Sequence, residues 1–303
     1  MRPINVKMRP GNVARYKVVF LRHGESEFNK ENKFTGWQDV KLTDLGINQA
    51  KQAGRILRQH GFSFDIVFTS MLKRAIWTYH TCADELDIHW APHVKDWRLN
   101  EKHYGALQGL EKSEEGTGYT EEELAVWRES SNIQSPSLTD HDHRNPMYDE
   151  KYSHIPKAAL PKVESMNDTV NRIMPFWYNT IARNVFNNKK VLIVAHKNSL
   201  RAIFKHLQGI SDEDIKKFKV PNAMPMVYEF DERMTFVNNY TLMDMDAHRL
   251  MKEDRSLSYN NILMDKYDEI DPLKKMNYIA TNEQYGRKYD QWNRLNKLKQ
   301  SQQ

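Results

Sequence analysis

The chain has 303 residues, 39% of them hydrophobic and 28% charged, a balance that excludes a disordered chain and leaves room for one large α/β domain or two small ones. A single cysteine, Cys82, excludes an internal disulfide framework and a four-cysteine zinc site, and the longest apolar runs, VVFL and VLIVA, are too short to span a bilayer. The net charge of +5 suits small anions as well as nucleic acid; the Lys-Lys pairs at 189–190, 216–217 and 274–275 fit solvated faces, so no nucleic-acid partner is expected.

Residues 1–15 read as an extension. The first 24 residues contain no acid and carry Arg2, Lys7, Arg9, Arg15, Lys17 and Arg22, which suits a mitochondrial targeting segment; the absence of serine, together with Pro3, Pro10 and Gly11, opposes an amphipathic helix there. YKVVFL, 16–21, has the pattern of a buried strand. Residues 42–61 predict a helix capped by Thr43 or Asp44, with Ile47, Ala50, Gly54, Ile56 and Leu57 as its core stripe and Gly61 as its stop. A strand at 65–70 and a helix at 72–86 follow. Residues 103–165, with Pro136, Pro146, Pro156 and Pro161, predict loops and short helices over one sheet edge. Residues 165–186 predict a long helix kinked or broken at Pro175. VLIVAH is a further strand, the stretch from Asn198 to Gly209 a helix, and PMVYEFD, 225–231, a last strand. Strands alternating with helices imply a mainly parallel sheet covered on both faces. From about Met245 the chain is polar, yet Tyr285, Tyr289, Trp292 and Leu295 recur at helical spacing. Such a narrow stripe is expected to dock, on a protein partner or beside the pocket mouth, since a helix of this kind is marginal alone.

In an open α/β sheet, ligands bind beyond the carboxyl ends of the strands. His23 and His196 each follow such an end, and Arg22, Arg74 and Asn29 join them there. Guanidinium forks match phosphate oxygens. The set favours a phosphoryl group: one imidazole attacks, and the other, protonated, stabilises developing charge. Gly24 suits close backbone approach, and its carbonyl can take the second ring N–H of His23. An acid–base carboxyl is available in Glu101, in a compact motif with Arg98, His103 and Tyr104. His60, His80, His89, His93, His206 and His248 fit surface or packing positions, and the DHDH run at 140–143 fits a solvated loop, so no metal is expected.

LRHGESEFNKENKFTGWQDVKLTDLG, TSMLKRAIWT, WRLNEKHYGALQGLEK, LPKVESMNDTVNRIMPFW and AHKNSLRAIFKHLQGIS resemble the cofactor-dependent phosphoglycerate mutases of the histidine phosphatase superfamily, from about Tyr16 to Asp244. That resemblance implies three regions: an extension at 1–15, a mutase-like domain at 16–244 and a helical extension at 245–303. It also implies a six-stranded α/β core with helices on both faces, and interconversion of 3- and 2-phosphoglycerate through a phosphohistidine primed by 2,3-bisphosphoglycerate. His23 matches the phosphorylated histidine, and Arg22, Asn29 and Arg74 match phosphate ligands. Ser26, Thr35 and Gly36 line the pocket. Glu101 matches the acid–base carboxyl, Tyr104 and Lys112 match substrate contacts, and His196 and Asn198 the second-histidine motif.

The chain departs from the family at several positions. Lys197 stands where the family has glycine after the second histidine. WRES supplies Arg128 and then Glu129 where the family has two substrate-holding arginines. A proline-rich stretch has become SSNIQSPSL, and Asn222 and Ala223 replace a threonine and a glycine. A carboxylate about 6 Å from an anionic substrate costs about 3 kcal/mol at an effective dielectric near 20, so Glu129 is expected to reduce activity. Lys197 either compensates as a ligand, plugs the space or strains a backbone that wanted positive φ. Two alternatives to an active mutase therefore stand: a weakly active or inactive subunit of a larger assembly, and a histidine-type phosphatase. The address stays open as well, cytoplasmic by resemblance or mitochondrial by the basic N-terminus.

Overall fold

The computed structural model describes residues 13–243, apart from the side chain of Glu129. The elements run in the order β1 (Tyr16–Arg22), α1 (Glu27–Lys30), α2 (Asp44–Gln59), β2 (Ile66–Thr69), α3 (Lys73–Leu86), β3 (His93–Lys95), α4 (Glu114–Thr117), α5 (Glu121–Glu129), α6 (Met166–Phe176), α7 (Ala182–Phe186), β4 (Val191–Ala195), α8 (Lys197–Gln208), α9 (Asp212–Lys217), β5 (Met226–Phe230) and β6 (Phe236–Thr241). The six strands form one sheet in the order β3-β2-β4-β1-β5-β6. The first four run parallel, and β5 lies antiparallel to both β1 and β6.

Period-two alternation divides the strand side chains between two cores. Val18, Phe20, Ile66, Phe68, Val191 and Ile193 pack with Ile173, Trp177, Ile203 and Phe204 on one face. Val19, Leu21, Val67, Leu192 and Val194 pack with Ala50, Ala53, Leu57, Ala75 and Tyr79 on the other. Both faces are covered, which is why the central strands are continuous apolar runs rather than alternating ones. The register pairs Arg22 with Ala195, so the next residues, His23 and His196, leave the sheet side by side.

Two strands escaped the sequence pattern. β3 is three residues long, and β6, FVNNYT, is mostly half-buried; edge strands are held by backbone pairing more than by apolar content. Ile47 is 37% exposed, outside the stripe expected for it; Gly46 and Gln49 are buried instead. Thr43 caps α2, its side chain accepting from the Gly46 amide. Pro175 lies within α6, and the chain continues as a π-turn over Trp177–Ile181 before α7. The α-helical winding is thus interrupted just after Pro175 by a wider turn. The 103–165 region consists of loops, 3-10 turns and the short helices α4 and α5, as expected. Among the described residues no helix is long and apolar enough to cross a membrane, and no cluster of metal-ligating side chains is found. Residues 1–12 of the extension expected at 1–15, His248 and the aromatic stripe of the tail lie outside the described residues.

Candidate active site

His23 is 3% exposed at the end of β1. Its backbone N–H donates to Ala195 O at 3.0 Å, and its ring Nδ1 donates to Gly24 O at 2.6 Å. A carbonyl only accepts, so Nδ1 carries the proton and the Nε2 lone pair faces outward. Burial first, then Arg74 and Arg22, hold this imidazole well below the usual range, hence neutral. Gly24 must be glycine, since a Cβ there would stand 2.2 Å from Gly46 O; the close approach is to the start of α2. Thr78 Oγ1 accepts from the Gly24 amide at 3.0 Å, and Asn222 Nδ2 donates to His23 O at 2.9 Å.

His196 is fully buried, its ring centroid 5.0 Å from that of His23. Arg74 Nε donates to its Nδ1 at 3.2 Å, so Nε2 carries the proton and meets Ser70 Oγ at 2.7 Å. This second imidazole is neutral in the structure. Burial, then Arg74 and further neighbours, push this histidine well below its usual range, and a proton on Nδ1 would oppose the Arg74 N–H donor to donor. Arg74 is itself 1% exposed, and its other nitrogens donate to Gln38 O at 2.8 Å and Gly36 O at 2.7 Å. It therefore ties the 36–38 loop to the second histidine. Gly36 has φ +51°, and a Cβ there would collide with Gln108 Oε1; Thr35 beside it is buried.

Glu101 Oε1 accepts from the amides of Lys102 at 2.8 Å and Asn198 at 3.1 Å. The second of these is an N-terminal amide of α8, where orphan donors and the helix dipole favour a carboxylate. Tyr104 OH accepts from Asn198 Nδ2 at 2.8 Å, and burial raises its pKa. The Glu101 loop is held from behind. Arg172, on α6, forms a bidentate pair with Glu164 at 2.5 and 2.8 Å and donates to the carbonyls of Trp97, Arg98, Asn100 and Glu101. Trp37 Nε1 also donates to Glu101 O, at 2.7 Å. His103 belongs to this scaffold: it is fully buried, accepts from the Gly105 amide and is pushed down to about 3 by burial. Arg98 pairs instead with Asp96.

Ser26 and Asn29 form a reciprocal capping box at the start of α1, Asn29 Oδ1 taking the Ser26 amide at 3.2 Å; the Asn29 Nδ2 remains as a donor. Arg22 is half-buried and donates to Val220 O at 2.9 Å. Lys112 lies 5.8 Å from the Phe34 ring centroid, and burial lowers it to about 8. Arg128 is exposed, near enough to Tyr104 and Lys112 to act on both electrostatically. His23, His196, Arg74, Gly36, Glu101, Asn198 and Tyr104 are thus brought together at one end of the sheet, Arg22, Lys112 and Arg128 act on them, and Ser26, Asn29 and Thr35 lie on the segment that follows β1. Sequence reasoning missed Ser70, Thr78, Lys102, Glu164, Arg172 and Arg201. Ser70 is a polar residue directly after the apolar run of β2; no local pattern marks the others.

The two departures before β5 differ in cost. Asn222 acquires a role by holding His23 O. Ala223 sits at φ +46°, the left-handed region that favours the glycine it replaces. Lys197, by contrast, is the first residue of α8 and is absent from the positive-φ set, so the possibility of backbone strain there is overturned. A cavity of about 580 Å³ opens at the opposite ends of β1 and β4, lined by Arg15, Lys17, His60 and Lys190 among others. It lacks the paired imidazoles and the carboxyl, and His60 Nε2 is engaged by Met243 O at 2.8 Å.

The sequence pattern of the histidine phosphatase superfamily (branch 1) matches residues 18–143 and 137–242. The chain is 48% identical over 237 residues to the 2,3-bisphosphoglycerate-dependent phosphoglycerate mutase of Bacteroides fragilis, covering 78% of this chain and 96% of that protein. The same figures describe the 2,3-bisphosphoglycerate-dependent phosphoglycerate mutase 2 of Bacteroides thetaiotaomicron. Among solved structures, Mycobacterial hydrolase 1 shares the fold with a TM-score of 0.57 at 20% identity, over 76% of this chain and 98% of that one. The chain belongs to the histidine phosphatase superfamily, and within it to the family of the 2,3-bisphosphoglycerate-dependent phosphoglycerate mutases.

Proposed function

We propose that this protein interconverts 3- and 2-phosphoglycerate by phosphoryl transfer through His23. The observation that carries the reading is the pair of neutral imidazoles at the ends of β1 and β4, with His23 Nδ1 pinned to Gly24 O. His23 Nε2 attacks phosphorus; a P–N bond forms as the P–O bond to the donor breaks. Bound 2,3-bisphosphoglycerate would supply the phosphoryl group, and the donor set fits such a polyanion: Arg22, Arg74, Lys112 and Lys197 lie around the Glu101 carboxylate, with Asn29 as a further donor. Arg22, Arg74 and Asn29 hold the phosphoryl oxygens, with Ser26, Thr35 and Gly36 shaping that wall. His196 stays a neutral positioning group while Arg74 donates to it, and a phosphoryl dianion alongside favours its protonation. Glu101 uses Oε1 on backbone amides, so Oε2 is the oxygen that exchanges a proton with the substrate hydroxyl. Tyr104, Asn198, Lys112 and Arg128 contact the rest of the substrate. No metal takes part in this scheme.

Labelled 2,3-bisphosphoglycerate tests the reading. Wild type should take up label and interconvert the two phosphoglycerates, and His23→Ala should abolish uptake while melting normally. Undiminished labelling of that variant sinks the assignment. Release of inorganic phosphate without interconversion makes the protein a phosphatase, and no label at all favours a subunit role. The proposal extends to residues 245–303 as a docking element for a protein partner, supported by the spacing of Tyr285, Tyr289, Trp292 and Leu295. Deleting them should release the partner and leave label uptake intact; loss of uptake alone would instead place the tail at the pocket.

A further inference from the structure

Lys197 is a charged group at the pocket whose task the scheme above leaves undefined. It is half-buried at the first position of α8. Arg201 follows four residues later on the same helical face, a like-charge spacing that costs stability unless an anion bridges it. Among the described residues, Arg201, Arg22 at the end of β1, and Lys112 in the loop before α4 act on the lysine as repelling charges, and Glu101 attracts it. These neighbours have their own anchors. Arg22 donates to Val220 O, Arg201 to Phe218 O at 2.8 Å and Lys216 O at 3.2 Å, and Glu101 Oε1 is taken by two amides. Among the described residues, neither Lys197 Nζ nor Lys112 Nζ makes a hydrogen bond or ion pair, and the backbone at Lys197 is ordinary helix. An unbonded amine half-buried among cations is costly unless it serves a ligand.

We propose that Lys197 is a specificity-determining ligand of the pocket: with Lys112 it forms a two-lysine clamp for the second acidic group of a doubly anionic phosphorylated substrate, the group farther from His23. This rests on the functional reading above. It makes Lys197 a compensating cation and not a plug, in a chain that carries Glu129 where a guanidinium is expected. Burial lowers the Lys197 amine to about 7, with Arg201, Arg22 and Lys112 acting in the same direction and Glu101 against it. The protonated amine is the form that binds an anion. Affinity therefore falls as pH rises above about 7, and binding near pH 8 draws a proton onto Lys197.

The test is calorimetric titration of the full chain with 2,3-bisphosphoglycerate at pH 6.5 to 8.5, in buffers of differing ionisation enthalpy. Lys197→Met and Lys197→Gly should bind at least tenfold more weakly at pH 6.5, with the gap to wild type narrowing as pH rises. Lys197→Arg should keep the affinity, yet take up about one proton fewer than wild type near pH 8, because a guanidinium is always charged. Equal or tighter binding by the Met or Gly variant makes the lysine a plug and overturns the clamp. So does unchanged proton uptake in the Arg variant, and so does a wild-type protein that binds no 2,3-bisphosphoglycerate. Labelling of His23 in the same samples separates the two readings. Lys197-dependent binding without label leaves the clamp standing and the transfer chemistry refuted; label with Lys197-independent binding does the reverse.

Discussion

Replacing Arg172 by methionine should be among the most damaging single changes outside the pocket. The Arg172 and Glu164 side chains are 6% and 3% exposed and meet in a two-bond fork. Without the guanidinium, Glu164 keeps, among the described residues, the His103 amide at 2.9 Å as its hydrogen-bond donor. The carbonyls of Trp97, Asn100 and Glu101 keep other donors, in the Asn100 amide, the Ser199 hydroxyl and the Trp37 indole. The cost is thus mainly that of an uncompensated buried carboxylate, about 3–5 kcal/mol. Against a total stability of roughly 5–15 kcal/mol this is a large fraction, and it lowers Tm by about 6–20 °C at 2–4 °C per kcal/mol. Urea and thermal unfolding of Arg172→Met, Glu164→Gln and the double variant would measure it. The double variant should recover much of the loss, because it removes the stranded charge as well. A Tm within 2 °C of wild type for Arg172→Met, or strict additivity in the double variant, would refute the view that a charge pair holds the Glu101 loop.

Three further outcomes are expected. Ala223→Gly should stabilise the protein by about 0.5–1 kcal/mol: relief of the left-handed strain is worth roughly 1–2 kcal/mol, and the added freedom of unfolded glycine removes about half; a lower urea midpoint would contradict this. Asp142, held down to about 2 by the Arg144 guanidinium, has a depressed folded-state pKa. Its contribution is present above about pH 4 and disappears as pH falls toward 2, so the Tm gap between wild type and Asp142→Asn should close over that window; a gap independent of pH would count against it. Glu129→Arg, argued from the sequence pattern alone, should tighten phosphoglycerate binding at least tenfold, about 1.4 kcal/mol, and an unchanged Kd would show that this side chain points away from the substrate.

Much of the fold and of the site was legible in the chain itself. VVFL and VLIVA are apolar enough to be central strands, and the histidine that closes each stretch, after Arg22 in the first, stands at a carboxyl edge. Gly24 announced a close approach, Thr43 a helix cap, and Arg74 a guanidinium in the first turn of the helix after β2. These signals are local: a period of two or 3.6, a cap, a stop. What they left open is partnership at long range. Ser70 meets His196 across 126 residues, and Asn222 holds His23 across 199; no local period encodes either contact. β6 is a strand because β5 offers it an edge, not because FVNNYT is apolar. The charge state of His196 is likewise a tertiary result, since burial and the direction of the Arg74 N–H decide it. The two departures from the family's glycines make the same point. Lys197 and Ala223 carry equal warning as letters, yet one falls on ordinary helical backbone and the other at φ +46°. Residue type sets which conformations are affordable, while the path of the packed chain selects the one each residue must adopt.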